Sequence, residues 1–446
     1  MIQSRVNGAA QDLIRWLQDA RMRTWVFLVG SNLAVMGLSF AATVVMTHRM
    51  SQSDYGAVTL GTSVAAIVAL VTRLGADRLL VRDILQHPNQ ENDYVMTSYF
   101  LRGIASLLSL VAVVVITQSK IIAPDWPLNV VVVFVLFGCL SGLLPLEIYD
   151  AHGRMRQSGV IFFWTNALYV LGVFVLLFLG PLVFHQAIYV AWIRLGSVVL
   201  GLVVQIGFAR HFVSLLPWAQ IKRMLPLIAA TYVGVALPSI GSTIMVQYPS
   251  IHLASVQGTA AVAPYGIAML LASVLALVFL QLGRVLNPDL VRIVRPTATR
   301  GVVARFTAKY LAVTISSSAI LCGIAYFAAP LVFDLFFPPT YSSGILVFRI
   351  LLAWVMIGTV ISYPILQVLF SLGDHRTFAV AVGVGVTASI LLSNVFKAGN
   401  GPSGAALVLL LSNTLLVLVA SLGLLTRLLR MPVRSLGTAT SEADGT

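Results

Sequence analysis

The sequence holds 446 residues, 59% of them hydrophobic and 10% charged, with a mean hydropathy of +0.94. About a quarter of the residues of a soluble domain are charged, so this composition excludes one. A net charge of +13 would suit a nucleic-acid binder, but membrane chains collect Lys and Arg in their cytoplasmic loops, and the place of each charge decides between the two.

In chain order, residues 9–24 come first. Leu13, Trp16, Leu17 and Ala20 fall at helical spacing with Arg15, Arg21 and Arg23 among them, the pattern of an amphipathic helix in the membrane interface. Apolar runs follow to the end of the chain. About 20 such residues cross the hydrocarbon core as a helix, and lipid admits only helices or closed barrels. The runs are continuous, not alternating, so the sequence predicts spans at 25–47, 56–74, 95–117, 128–149, 160–180, 183–208, 225–249, 262–284, 308–330, 344–370, 378–396 and 404–428. Only Gly180-Pro181 breaks the fifth from the sixth. Pro145, Pro238 and Pro364 fall inside spans four, seven and ten, where each removes a backbone hydrogen bond and favours a kink. Gly37 stands near the place in span one that Pro238 takes in span seven, so bent first helices in each half would suit gating. The last stretch, from about Gly437, is small and polar and is predicted disordered.

The fold class expected is an all-α polytopic membrane protein of about twelve transmembrane helices. Its parts are a cytoplasmic amphipathic segment at 1–24, an N-lobe at 25–208, a cytoplasmic linker at 209–224, a C-lobe at 225–428 and a cytoplasmic tail at 429–446. With the N-terminus inside, 22 of the 28 Lys and Arg fall on cytoplasmic segments. Arg49, Lys120 and Lys397 fall outside, and Arg102, Arg194 and Arg349 fall within spans. This asymmetry places both termini in the cytoplasm and accounts for most of the positive charge, leaving no need for nucleic acid. Cys139 and Cys322 both sit in apolar runs, with neither a disulfide framework nor metal-ligand spacing.

An internal repeat links the halves. Tyr55-Gly56, Leu60, Ser63, Ala66 and Leu70 recur as Tyr265-Gly266, Leu270, Ser273, Ala276 and Leu280, all at an offset of 210, and Ser39 and Thr43 recur as Ser239 and Thr243 at 200. Six spans is an even number, so both halves run the same way. That predicts two six-helix lobes related by a parallel pseudo-two-fold axis along the membrane normal.

The run SQSDYGAVTLGTSVAAIVALVTRLGADRLLVRD at 51–83 resembles the polysaccharide-transport, or Wzx-like, branch of the multidrug/oligosaccharidyl-lipid/polysaccharide (MOP) flippase superfamily. APYGIAMLLASVL (263–275), LNPDL (286–290), LFFPPTYSSGILVFRIL (335–351) and GPSGAALVLLLSN (401–413) resemble matching stretches of that branch. Met50-Ser51 replaces its usual Leu-Gly, and Pro338 stands where it usually has Gly. The resemblance implies alternating access between two lobes and transfer of an undecaprenyl-pyrophosphate-linked oligosaccharide from cytoplasm to periplasm across the bacterial inner membrane. The product would serve O-antigen or exopolysaccharide synthesis, with membrane lipids, a polysaccharide polymerase and a chain-length regulator as partners.

A lipid pyrophosphate is a compact anion, and arginine meets phosphate oxygens through bidentate contacts. Charge inside a span is a functional signal by default. Arg194, well inside span six with no acidic residue within a helical turn, leads the candidates. Arg349 and Arg49 follow near the outer ends of spans ten and one, then Arg78, Arg82 and Arg284 at the inner ends of spans two and eight. None of the 15 acidic residues falls near the middle of a span. Glu147, ending span four, is the candidate for proton coupling, against a helix-end charge or salt-bridge partner; Pro238, Gly37 and Pro364 are the gating candidates. A MATE-like exporter of small organic cations would want a carboxylate in its cavity. A membrane polysaccharide polymerase or glycosyltransferase would want a larger outer loop bearing carboxylates or histidines. No GxxxxGK[ST] loop is present, so transport draws on an ion gradient, the membrane potential or mass action, with no cofactor and no metal.

Overall fold

A computed structural model describes residues 20–118, 126–179, 186–209, 218–293, 300–372, 374–396 and 401–430. The expected amphipathic stretch 9–24 lies outside them except for its last turn, as do half of the linker and nearly all of the tail. The described chain is helical: α1 (Ala20–Arg49), α2 (Gln52–Arg73), α3 (Ala76–Gln86), α4 (Glu91–Gln118), α5 (Leu128–Gly142), α6 (Leu146–Ala151), α7 (Met155–Leu179) and α8 (Ala187–Ala209). There follow α9 (Trp218–Gln257), α10 (Thr259–Ile293), α11 (Arg300–Phe336), α12 (Gly344–Trp354), a π-helical turn (Val355–Ile361), α13 (Ser362–Ser371), α14 (His375–Val395) and α15 (Gly401–Leu429). Among the described residues, eleven helical segments are long and apolar enough to cross a membrane, and the bent pair within α9 brings the number to twelve. The chain is thus an all-helical, multi-pass membrane protein.

The prolines mark most of the irregularities. Pro145 has no N–H to offer the carbonyl of Ser141, and the predicted span four divides there into α5 and the short α6. Two arginines take the carbonyls this break frees: Arg73 donates to Ser141 at 3.2 Å, and Arg102 to Gly142 at 3.4 Å. In α9 the ring of Pro238 meets the carbonyl of residue 234. The pieces Gln220–Gly234 and Ala236–Gln257 are bent by 44° at that turn. The π-helical turn ends three residues before Pro364, whose own backbone cannot donate to that turn. At Gly37, by contrast, α1 runs on without a break, and a Cβ there would meet nothing within 4 Å.

The chain divides into two compact units. The first comprises Met1–Thr243, Leu253–Ala263 and Phe336–Pro338; the second comprises Ile244–His252, Pro264–Leu335 and Pro339–Thr446. In the first, α2 and α5 are both largely enclosed, and glycines let them approach each other. Gly138 and Gly142, four apart on α5, lie against the Ala65 carbonyl and Thr72 of α2, and Gly61 of α2 lies under the Phe134 ring. Small residues at such a crossing replace the hydrophobic drive that lipid removes. A Cβ at Gly138 would stand 2.7 Å from the Ala65 carbonyl oxygen, so the two backbones would have to part. Gly138→Ala is expected to lose about 1–3 kcal/mol, read as a lower melting temperature of the detergent-purified protein; an unchanged melting temperature would show that the crossing is loose.

Gly56, from the repeat motif, is used the same way. A Cβ there would fall on the carbonyl of Thr259, whose hydroxyl is 2.8 Å from that of Ser53. The second unit has its own core, where Ile365, Val368, Leu369, Ala381, Val382, Leu416, Ala420 and Leu424 close around Met245 and Val303. Gly385 of α14 lies against Met245 and Leu416 within that core.

Candidate functional site

Charged groups are costly in a membrane helix unless paired, so the informative ones are buried. Arg102 of α4 and Glu147 of α6 are 1% and 4% exposed and stand 3.1 Å apart. Arg102 also lies 5.0 Å over the Tyr99 ring. Glu147, the expected coupling candidate, therefore faces a guanidinium, and Arg102 bridges the gap between α5 and α6 by donating to both Gly142 and Glu147. The sequence placed Arg102 within a span but named no partner for it, and Glu147 lies 45 residues away.

A second pair sits nearby. Asp83 of α3 is buried, accepts from Arg82 Nε and Nη2 at 2.9 and 2.7 Å, and accepts from the Tyr232 hydroxyl of α9 at 3.3 Å. Arg82, a pyrophosphate candidate, thus has a carboxylate partner, with its own side chain 48% exposed. Glu91 and His152 meet at 3.3 Å. Asp83 and Tyr232 were not singled out in the sequence, where Asp83 falls between predicted spans two and three and Tyr232 falls inside span seven.

Arg194 is different in kind. It lies on the eighth residue of α8, partly buried, and donates from Nη1 to Asn166 Oδ1 of α7 at 3.3 Å. Its guanidinium lies 4.2 Å from the centre of the Tyr169 ring and 5.1 Å from that of Phe137 on α5. Asn166 and Tyr169, three apart on α7, share a helical face, a signal present in the sequence once the facing helix is known. Among the described residues no carboxylate pairs with Arg194. Four of its five N–H donors have no hydrogen-bond partner among these residues. Two rings hold the plane of the fork and one amide steers it.

Arg349 on α12, in the other unit, is likewise set against an aromatic ring. Its guanidinium lies 4.6 Å over the Tyr326 ring of α11, no carboxylate pairs with it among the described residues, and its Nε is buried without a hydrogen-bond partner. Arg49, at the end of α1, is exposed and lies 5.0 Å over Phe178. The side chains of Arg78 and Arg284 lie outside the described ones, although their helices are described. Pro238 marks the bend of α9, and Pro364 follows the π-helical turn. Among the described residues no three His, Cys, Asp or Glu side chains stand together, and both cysteines are buried and free.

No protein-family model matches the chain. No curated protein matches it either. Solved structures do. An inward-facing multidrug-resistance MATE-family transporter of the MOP superfamily matches with a TM-score of 0.68 at 14% identity, over 89% of this chain and 94% of that one. The lipid II flippase MurJ in an inward closed conformation matches with a TM-score of 0.63 at 11% identity, over 91% of this chain and 89% of that one. A MOP-superfamily transporter from Pyrococcus furiosus, described as having a binding pocket of reverse polarity, matches with a TM-score of 0.57 at 14% identity, over 93% and 97%. The chain has the fold these MOP-superfamily proteins share.

Proposed function

We propose that the protein is a secondary transporter, not an enzyme, that flips an undecaprenyl-pyrophosphate-linked oligosaccharide from the cytoplasmic to the periplasmic leaflet of the bacterial inner membrane. On this reading both termini are cytoplasmic and two six-helix lobes alternate access. The cargo feeds O-antigen or exopolysaccharide synthesis, with a polymerase and a chain-length regulator downstream. The observation that carries the reading is Arg194: an oriented guanidinium inside a membrane segment with no carboxylate partner among the described residues. The phosphate oxygens of a pyrophosphate match the geometry of such a fork. Arg349 and Arg49 are further contacts on this reading, and Arg78, Arg82 and Arg284 are contacts at the cytoplasmic end. Likeness to a lipid II flippase supports a lipid-linked cargo.

Likeness to a MATE transporter favours a second reading, export of small organic cations. The charges weigh against it. The buried carboxylates, Glu147 and Asp83, each already face an arginine, and a cationic drug beside Arg194 would be repelled.

The test is to delete the gene and analyse the lipid fraction. Oligosaccharide-lipid accumulating on the cytoplasmic leaflet is the expected result. Flipped but unpolymerised units outside would instead mark a polymerase, and a normal lipid profile with raised sensitivity to cationic compounds would mark the exporter.

A further inference from the structure

We propose that the Tyr232–Asp83 hydrogen bond is a latch that holds the first part of α9 against α3, and that this part swings about the bend beside Pro238 when the latch opens. Ile221, Ile228, Tyr232 and Ala236 form one buried stripe at helical spacing on α9, while Lys222, Arg223 and Leu227 on its other side are exposed. Ile228 and Tyr232 pack on Leu79, Leu80 and Ile84 of α3, Tyr94 and Val95 of α4, and Ile148 of α6. Asp83 places a carboxylate in that apolar seam, one oxygen on Arg82 and the other on the Tyr232 hydroxyl.

Three features make this contact a releasable one. At 3.3 Å it is longer than the usual O–H···O range, and both of its groups are readily satisfied by water once parted. The helix is already bent by 44° just past Tyr232, where Pro238 removes a backbone donor, so the segment can turn without unwinding. The ion pair beside it, Arg102–Glu147, is made between α4 and α6, so the platform keeps its charge balance when α9 leaves. The bond from Tyr232 is the only polar tie that joins the moving segment to α3 among the described residues.

The test uses the full-length chain in proteoliposomes with Cys139 and Cys322 replaced by Ala and one new cysteine, Ile228→Cys, in the buried stripe. The readout is its rate of labelling by a membrane-permeant maleimide. Val173→Cys, buried on α7 away from the latch, is the control. Tyr232→Phe is expected to raise labelling at position 228 by up to about tenfold, the factor that corresponds to losing one hydrogen bond at the weak end of those made to a charged group, and to leave position 173 unchanged. Asp83→Asn, which keeps an acceptor, is expected to raise it less. Pro238→Ala added to Tyr232→Phe is expected to lower it again by stiffening the bend. Equal rates at position 228 with and without Tyr232→Phe would overturn the latch, and so would a rise at both positions, which reads as general loosening. The labelling rate is independent of the cargo, so these outcomes stand whatever the transported molecule proves to be.

Discussion

Glu147→Ala is expected to be among the most damaging single substitutions in the chain, costing about 3–5 kcal/mol of stability. The physical reason is asymmetry. Arg102 is buried, so removing its carboxylate leaves an uncompensated guanidinium among apolar helices, where it cannot reach water. It would also unsettle the break after Gly142, whose carbonyl Arg102 holds. The measurement is the monodisperse fraction and melting temperature of the detergent-purified protein. Replacing both members together, Arg102→Met with Glu147→Leu, is expected to recover most of the loss, because apolar side chains of similar volume remove the desolvation penalty along with the attraction. A Glu147→Ala protein as stable as the parent would show that the pair is unimportant to the fold. Transport by the double variant then separates the two roles of Glu147. Retained transport makes the pair a structural clamp, and a stable but inactive protein makes Glu147 a coupling group.

Hydropathy alone reveals the helices that cross the membrane, because a span must satisfy its own backbone and has few alternatives to a long apolar run. Break points were legible for the same reason. Pro145 and Pro238 lack a donor for the preceding turn and the structure divides or bends there, whereas α11 runs on through Pro330. Gly37 was less decisive, since glycine permits a bend without imposing one. Pairings were not legible. Nothing near Glu147 in the sequence points to Arg102, and nothing near Asp83 points to Tyr232, 149 residues on. The helix α3 was hidden as well. At 11 residues it is too short to span, and its charges read as a loop until Leu79, Leu80 and Ile84 are seen to share a buried face. Arg194 was the reverse case. An isolated charge in an apolar run is visible at once, but the rings and amide that aim it come from other helices.

Arg194→Ala is expected to abolish transport at unchanged expression and with a melting temperature only slightly lowered. Arg194→Lys is expected to restore little of it. Alanine removes the charge without stranding a buried carboxylate, since none pairs with Arg194 among the described residues, and the cost to the fold is the Asn166 oxygen left without its donor. Lysine keeps the charge but loses the planar fork, so the two parallel contacts that a phosphate makes with guanidinium reduce to one point charge. A hydrogen bond to a charged group contributes about 1.5–3 kcal/mol, which puts the loss from one missing contact at roughly ten- to a hundredfold in cargo affinity. The aromatic clip predicts a graded series. Tyr169→Phe keeps the ring under the guanidinium and is expected to stay active, whereas Tyr169→Leu lets the fork turn and is expected to fall between the parent and Arg194→Lys. The measurement is complementation of the deletion strain at matched protein levels, with flipping of a fluorescent pyrophosphate-linked saccharide in proteoliposomes as the direct readout. Full activity of Arg194→Ala would remove this arginine from the cargo path. If Arg194→Lys matched the parent, charge alone would suffice there, and the bidentate geometry that favours a pyrophosphate over other anions would lose its support.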